Sequence, residues 1–323
     1  MTAAFEPGLI ASQWGAPLHA LLQASRPELR LLPLASSPGQ PFAPLPAEAR
    51  VLLARPFAAA ERSQPAPAGW PFGLRWVQLI SVGFDAYPRW LLDTPGVQVS
   101  TAHGSSSPTI ADFVLASILR VQLRLVERRA QQADDWRFTE APALAGSRVG
   151  LLGFGGIGHA LASRLLALGV QVKALRRSDA PLDLPGVVRA RDLADLLHDI
   201  DHLVLVAPGT AQTRHLVDAA ALAQAKPGLH LVNVARGSLV DQTALHAALD
   251  SGQVGWASLD VCDPEPLPAG HWLYSHPKVW LTPHTCAISP QVQQAVVHKL
   301  LRSLDRLAAG QAPESLIELA RGY

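Results

Sequence analysis

Residues 149–158 read Val-Gly-Leu-Leu-Gly-Phe-Gly-Gly-Ile-Gly, an apolar run that ends in Gly153-x-Gly155-x-x-Gly158 and passes at once into an apolar helical pattern at 159–168. This order of strand, three glycines and helix restricts the fold more than any other feature of the chain. The first glycine permits a tight turn, the second lets the backbone approach a pyrophosphate, and the third lets helix and strand pack closely. The helix N-terminus then turns free N–H groups and the positive end of its dipole toward the phosphates. A glycine-rich turn alone says little, but this one stands at the strand-to-helix junction that the motif requires.

The rhythm around the motif extends the reading. Apolar runs at 148–152, 171–175, 187–189, 202–207, 230–234, 256–261 and 279–281 alternate with helical stretches. That alternation predicts an α/β fold, a doubly wound parallel sheet of the Rossmann type. Residues 1–100 are proline-rich and broken, with strands expected at 29–34, 51–54, 76–81 and 97–100 and loops at 38–46 and 65–71, which describes a smaller α/β unit. A long helical pattern starts at Thr109, with Pro108 in its first turn and Ile110, Phe113, Val114, Ser117 and Val121 on one face. Ser289 and Pro290 open an amphipathic helix that runs to about Ala309, with an apolar stripe of Val292, Val296, Leu300, Leu304 and Leu307. Because this helix follows the completed sheet, it is expected to return to the first domain. The expected division is 1–103 with 288–323 as a substrate-binding domain, and 104–287 as a dinucleotide-binding domain. Crossings near 102–107 and 283–288 would form a hinge beside a cleft that encloses a small substrate.

Composition narrows the function classes. The chain of 323 residues carries 27 basic and 26 acidic side chains, so no nucleic acid or anionic membrane is expected as a partner. Two cysteines, Cys262 and Cys286, imply no disulfide framework and read as small buried hydrophobes. The twelve histidines show no metal-binding spacing and read as scattered surface residues; His198 and His202 lie four apart but are separated by a new strand. No metal is expected. The most apolar stretch, 110–125, is interrupted by Asp112, Arg120 and Arg124, and the first six residues lack the pattern of a secretory leader, so a cytoplasmic location is expected.

Three strand ends carry more chemistry than packing requires. Arg236 follows the strand that ends in Leu-Val-Asn-Val-Ala; Glu265 lies between two prolines in Asp260-Val-Cys-Asp-Pro-Glu-Pro-Leu267; His284 follows the last strand in Thr282-Pro-His284. Ends of parallel strands face the ligand crevice in such sheets. An arginine can bind a carboxylate and polarise a carbonyl through its forked donors. A histidine can move a proton near neutral pH, and an adjacent glutamate would hold the imidazole and raise its pKa.

These motifs resemble the D-isomer-specific 2-hydroxyacid dehydrogenase family over nearly the whole chain, most strongly between Trp136 and Ser289. The resemblance implies a flavodoxin-like first domain, a homodimer formed through the nucleotide-binding half, and hydride transfer between a nicotinamide and a small 2-oxo acid of the glyoxylate or hydroxypyruvate type. It gives catalytic roles to Arg236, Glu265 and His284, with Arg236 and the Val82 and Gly83 amides of Ser81-Val-Gly-Phe-Asp85 holding the substrate carboxylate. Cofactor contacts fall on Gly153, Gly155, Gly156, Ile157 and Gly158, on Pro208 and Thr213 near the adenosine half, and on Ala235 and Asp260 toward the nicotinamide. Gly156 stands where the family often has a basic residue, and Asp112 where a glutamate is common. Phosphoglycerate dehydrogenase and a cofactor-sensing binding protein are the rival readings. Arg55 is the one candidate partner for a substrate phosphate, although a surface arginine is the simpler reading.

The nature of the cofactor is read from the second strand of the sheet. An NAD site has an acidic residue at its end, about 20 residues beyond the glycines. Here that strand ends in Arg176-Arg177-Ser178, without a carboxylate. Two guanidinium groups and a hydroxyl suit a 2′-phosphate, so NADP(H) is expected over NAD(H).

Overall fold

The computed structural model describes residues 6, 8–34 and 44–319. The first five residues, and the expected loop at 38–46 up to residue 43, lie outside the described residues. The chain divides into two units, Met1–Ser106 with Ile288–Tyr323, and Ser107–Ala287.

The first unit begins with β1 (Leu9–Ser12), α1 (Ala16–Ser25), β2 (Arg30–Pro33), β3 (Ala49–Ala54), α2 (Ala59–Arg62), β4 (Trp76–Leu79), α3 (Arg89–Leu92) and β5 (Gln98–Ser100). Its strands are parallel in the order β2-β1-β3-β4-β5, the flavodoxin-like arrangement. Four of the five strands were expected near their observed positions; β1 was not. Its sequence is only Leu-Ile-Ala-Ser, too short to display a period, yet it lies between β2 and β3 with Ile10, Ala11 and Ser12 fully buried. Its strand character comes from pairing on both sides rather than from local pattern.

The second unit contains α4 (Ser107–Gln122), β6 (Arg148–Leu152), α5 (Gly156–Ala167), β7 (Gln171–Leu175), β8 (Val187–Arg189), α6 (Leu193–Leu197), β9 (His202–Leu205), α7 (Ala219–Leu222), β10 (Leu229–Asn233), α8 (Gln242–Ser251), β11 (Val254–Leu259) and β12 (Val279–Leu281). The strands are all parallel, in the order β12-β11-β10-β9-β6-β7-β8. This is the doubly wound Rossmann order with one further strand at the β12 edge. Alternate residues of β9 and β10 face opposite sides. Leu203, Leu205, Leu229 and Leu231 join α6, α7 and α8, whereas Val204 and Val232 join α4 and α5. Helix α5 begins three residues before the expected start, because Gly156 and Gly158 already belong to its first turn. No helix among the described residues is long and apolar enough to cross a membrane.

The last helix, α9 (Pro290–Ala308), belongs to the first unit. The Ser289 hydroxyl accepts a hydrogen bond from the Val292 N–H at 3.2 Å and caps it, and Pro290 occupies the first turn. Val296, Leu300, Leu304 and Leu307 are buried against Ile10, Leu22, Val51, Leu53 and Trp76. On this face the short strands of the first unit find the apolar partner that α1 alone does not supply.

Two of the histidines expected at the surface are buried. His202 and His230, each 1% exposed, stand on neighbouring strands with their Nδ1 atoms 2.9 Å apart. The outer nitrogens are also partnered, His202 Nε2 with Gln122 Oε1 at 3.0 Å and His230 Nε2 with Ser258 Oγ at 2.9 Å. The Gln122 carbonyl oxygen accepts only, so His202 donates through Nε2 and accepts at Nδ1, His230 donates through Nδ1, and Ser258 donates to His230. Both rings are therefore neutral. Burial pushes the His202 pKa down to about 4 and the His230 pKa well below the ordinary value of 6.5. Their small rings alternate with apolar side chains, so sequence periodicity does not distinguish them from surface residues.

The buried pair sets an acid response. Between pH 6.5 and about 4 the unfolded chain binds protons on these imidazoles and the folded chain does not, so stability falls as pH falls through that window. His230→Leu, which removes the partner of His202 Nδ1 and of the Ser258 hydroxyl, is expected to lose about 1–3 kcal/mol at pH 7. Its urea-unfolding stability should also depend less on pH between 6.5 and 4 than that of the parent. An identical pH slope in both proteins would contradict the buried neutral pair.

Candidate active site

Arg236, Glu265 and His284 follow β10, β11 and β12, three strands that are neighbours in one parallel sheet. Their carboxyl ends therefore lie side by side. His284 Nδ1 is 2.8 Å from Glu265 Oε2, and the charge of Arg236 acts on both groups. The hydrogen bond that His284 donates to Glu265 raises the His284 pKa above 6.5, against burial and the Arg236 charge. Burial works to raise the Glu265 pKa, but hydrogen bonds from His284 and from the Cys262 N–H, 3.1 Å from Oε1, hold it below the usual range. The pairing thus favours the imidazolium–carboxylate form over the neutral one, and it engages Nδ1 of the imidazole rather than Nε2.

Each member is held by its surroundings. Asn233 shapes the Arg236 turn: its amide donates to Arg236 O at 2.9 Å and its Oδ1 accepts from the Ala235 N–H at 3.0 Å. Gly237 has a stricter reason than turn geometry. A Cβ there would lie 2.0 Å from the Cys262 carbonyl carbon, so only glycine lets the Arg236 segment pack onto the loop that carries Glu265. Gln242 braces the same loop, its amide nitrogen donating to Asp263 O at 2.5 Å. The Cys262 thiol, half-buried and facing Pro264 O at 3.4 Å, is pushed by burial up to about 11 and is no nucleophile at neutral pH.

Asp260 builds the His284 turn. It is 1% exposed, and its Oδ1 accepts from Thr282 Oγ1 at 2.5 Å and from the Thr285 N–H at 2.9 Å, while Oδ2 accepts from the Cys286 N–H at 3.1 Å. The His284 N–H donates to Asp260 O at 2.8 Å. His284 has φ +53°, a left-handed conformation that costs a residue with a β-carbon about 1–3 kcal/mol. Hydrogen bonds to a charged carboxylate contribute about 1.5–3 kcal/mol each, so the three together exceed that strain. Both Asp260 oxygens are therefore engaged with the turn. Asn233, Thr282, Gln242 and Gly237 were not singled out as site residues from the sequence, although Asn233, Gly237 and Thr282 lie inside the motifs that were.

The glycine turn has the shape a pyrophosphate requires. Gly153 has φ +106°, and a Cβ on it would meet Ala207 N at 2.7 Å, whereas a Cβ on Gly155 would have nothing within 4 Å. The bare backbone therefore opens onto free space at the N-terminus of a helix of 12 residues. Gly158 lies against Gly153 O, 3.1 Å from its notional Cβ, which matches the helix–strand packing role. At Gly156 a Cβ would stand 2.8 Å from Ser107 Oγ, and Ile157 packs with the apolar core beneath. These residues fit a dinucleotide. Thr213 Oγ1 donates to Pro208 O at 2.8 Å and closes the loop after β9, and Gly209 of that loop lies against Arg236. Ala235 is buried. Arg176, Arg177 and Ser178 follow β7, and Arg176 donates to Pro181 O at 3.4 Å within its own loop. Asp112 pairs with Arg164 at 2.8 Å.

Val82 and Gly83 belong to the first unit, in the loop after β4. The Ser81 hydroxyl donates to Gly83 O at 2.7 Å and lies 3.0 Å from the Tyr87 hydroxyl, so the loop is held from beneath by side chains. Arg55, expected as a surface arginine, is engaged by the buried Glu61 through two contacts of 2.9 and 3.1 Å.

The family model described as D-isomer specific 2-hydroxyacid dehydrogenase, NAD binding domain, matches residues 115–286. A glyoxylate reductase of Thermofilum pendens is 33% identical over 254 residues, 76% of this chain and 75% of that protein. A glyoxylate/hydroxypyruvate reductase A of Serratia proteamaculans is 32% identical over 214 residues, 66% of this chain and 68% of that protein. Among solved structures, a D-isomer specific 2-hydroxyacid dehydrogenase of Xanthobacter autotrophicus Py2 in complex with NADPH and MES superposes with a TM-score of 0.83, at 30% identity, covering 98% of this chain and all of that one. The chain belongs to the D-isomer specific 2-hydroxyacid dehydrogenases, a family of NAD(P)-dependent oxidoreductases.

Proposed function

We propose that the enzyme reduces a small 2-oxo acid of the glyoxylate or hydroxypyruvate type to the D-2-hydroxy acid, and that NADPH is its preferred reductant. The observation that carries the reading is the 2.8 Å His284–Glu265 pair within reach of the Arg236 charge at adjoining strand ends. Bound reduced nicotinamide supplies the hydride. Arg236 binds the substrate carboxylate and polarises the adjacent carbonyl through its fork. The Val82 and Gly83 amides are assigned to the same carboxylate. His284, kept protonated by Glu265, gives its Nε2 proton to the carbonyl oxygen as negative charge develops there. In the oxidative direction neutral His284 takes that proton back.

The substrate class rests on two supports. Two relatives of matching length are named for glyoxylate or hydroxypyruvate reduction. Arg55, the candidate for a substrate phosphate, already has its fork on Glu61, which weighs against the phosphoglycerate reading. The cofactor preference rests on Arg176, Arg177 and Ser178, which directly follow β7 where an NAD site would carry a carboxylate. A homodimer through the second unit is also proposed. Leu125, Val126, Trp136 and Phe138, which follow α4, are all exposed, Trp136 to 84%, and large apolar side chains so exposed along one segment are expected to be covered by a second copy.

The expected outcomes are distinct. His284→Ala should lower kcat by about 10²–10⁴ and leave the cofactor Kd within a few-fold. For the parent, reduction should fall as pH rises through an apparent pKa above 6.5, because the folded imidazole is protonated below that value and loses its proton above it. Glu265→Gln should move this limb to lower pH; an unmoved limb would refute the pairing. In a steady-state screen of glyoxylate, hydroxypyruvate, pyruvate and bulkier 2-oxo acids, the highest kcat/KM should go to one of the first two with NADPH. A higher value with NADH would overturn the cofactor preference. Light scattering should report a dimer that Trp136→Glu weakens, and a monomeric parent at micromolar concentration would exclude it.

A further inference from the structure

We propose that Arg189 is a positioning residue for cofactor discrimination, one that holds the loop after β7 in the shape that receives the 2′-phosphate of NADP(H). The inference rests on the NADPH reading above. Arg189 is the last residue of β8 and is paired in register with Ala174 of β7. It therefore stands beside the strand end from which Arg176, Arg177 and Ser178 emerge. Its Nη1 donates to Ser178 O at 3.1 Å, and its Nη2 donates to Ala180 O. One planar guanidinium thus grips two carbonyls of the loop, in the two-pronged geometry that suits arginine and not lysine.

Two consequences follow for an anion at this loop. Exposed carbonyl oxygens of Ser178 and Ala180 would repel a phosphate dianion, and Arg189 covers both with positive charge. The planar trans peptide after Ser178 also directs the Asp179 N–H opposite to the carbonyl held by Arg189. The grip therefore turns an amide donor to the side away from Arg189, while Ser178 and Arg177 remain exposed on the loop. The segment contains no helix or strand from 176 to 186 that would fix it otherwise. Arg176, on Pro181 O at 3.4 Å, adds one longer tie. Arg189 acts through the loop and touches no reacting atom.

The test reads binding directly, with adenosine 2′,5′-bisphosphate and 5′-AMP titrated calorimetrically into the parent, Arg189→Ala and Arg189→Lys. The parent should bind the bisphosphate at least about tenfold more tightly than 5′-AMP, as expected where charge-assisted hydrogen bonds meet the added phosphate. Arg189→Ala should reduce that advantage to about twofold or threefold and leave the 5′-AMP affinity unchanged, which also shows that the fold is intact. Arg189→Lys keeps the charge without the fork and should behave like the alanine variant. Retention of the full advantage in Arg189→Ala would overturn the inference. Full recovery in Arg189→Lys would overturn it as well, since charge alone would then suffice. A parent that shows no advantage for the bisphosphate would instead defeat the NADPH reading on which the inference stands.

Discussion

Parallel strands in register bring their carboxyl ends to one line, and the chemistry of the second unit depends on that constraint. From β12 to β8, along a single edge, the sheet presents His284, Glu265, Arg236, Pro208, Gly153, Arg176 and Arg189 in turn. Neighbouring strands are about 4.8 Å apart. Residues as distant in sequence as Arg236 and His284 are therefore separated by only two strand spacings before their loops begin. The same line is graded in chemistry: acid–base groups at one end, bare backbone in the middle, guanidinium groups at the other. A nicotinamide ring and a pyrophosphate need the first two of these surroundings in that order, and the proposed NADPH would place its ribose phosphate at the third.

Register alone does not orient a side chain, and the site spends its buried polar groups on orientation. Asp260 is the central case, a carboxylate out of contact with solvent whose oxygens receive one hydroxyl and two backbone N–H groups of the 282–286 turn. Those bonds hold His284 in a left-handed conformation that it would not adopt alone. Asn233 braces the turn of Arg236, whose backbone is extended, and Gln242 braces the loop of Glu265. Three catalytic candidates thus each depend on a buried or half-buried amide or carboxylate outside the trio. Such preorganisation is what the proposed roles of an acid, its partner and an anion clamp require.

A comparable economy operates away from the site. The His202–His230 pair carries one hydrogen-bonded chain from Ser258 on β11 through β10 and β9 to Gln122 at the end of α4. It ties three strands to a helix with every ring nitrogen satisfied, at the cost of sensitivity to acid. In the first unit, α9 closes one face of a sheet whose own strands are short, so the last helix of the sequence completes the first part of the fold.

Local pattern was sufficient for the larger outlines. The glycine turn, the alternating strands of the second unit, the capped start of α9 and the three strand-end residues all follow from periodicity, turn chemistry and residue type, which act over a few residues. The matching to a known family came from the same motifs. What local pattern did not contain was anything decided by partners distant in the chain. Leu9–Ser12 is a strand because β2 and β3 flank it; His202 and His230 are interior because each satisfies the other; Arg55 is neutralised because Glu61 folds beneath it. Gly237 is required by the backbone of Cys262, and His284 is held by Asp260, 24 residues earlier. Burial and hydrogen-bond pairing are properties of neighbours in space, and only the folded chain specifies which neighbours those are.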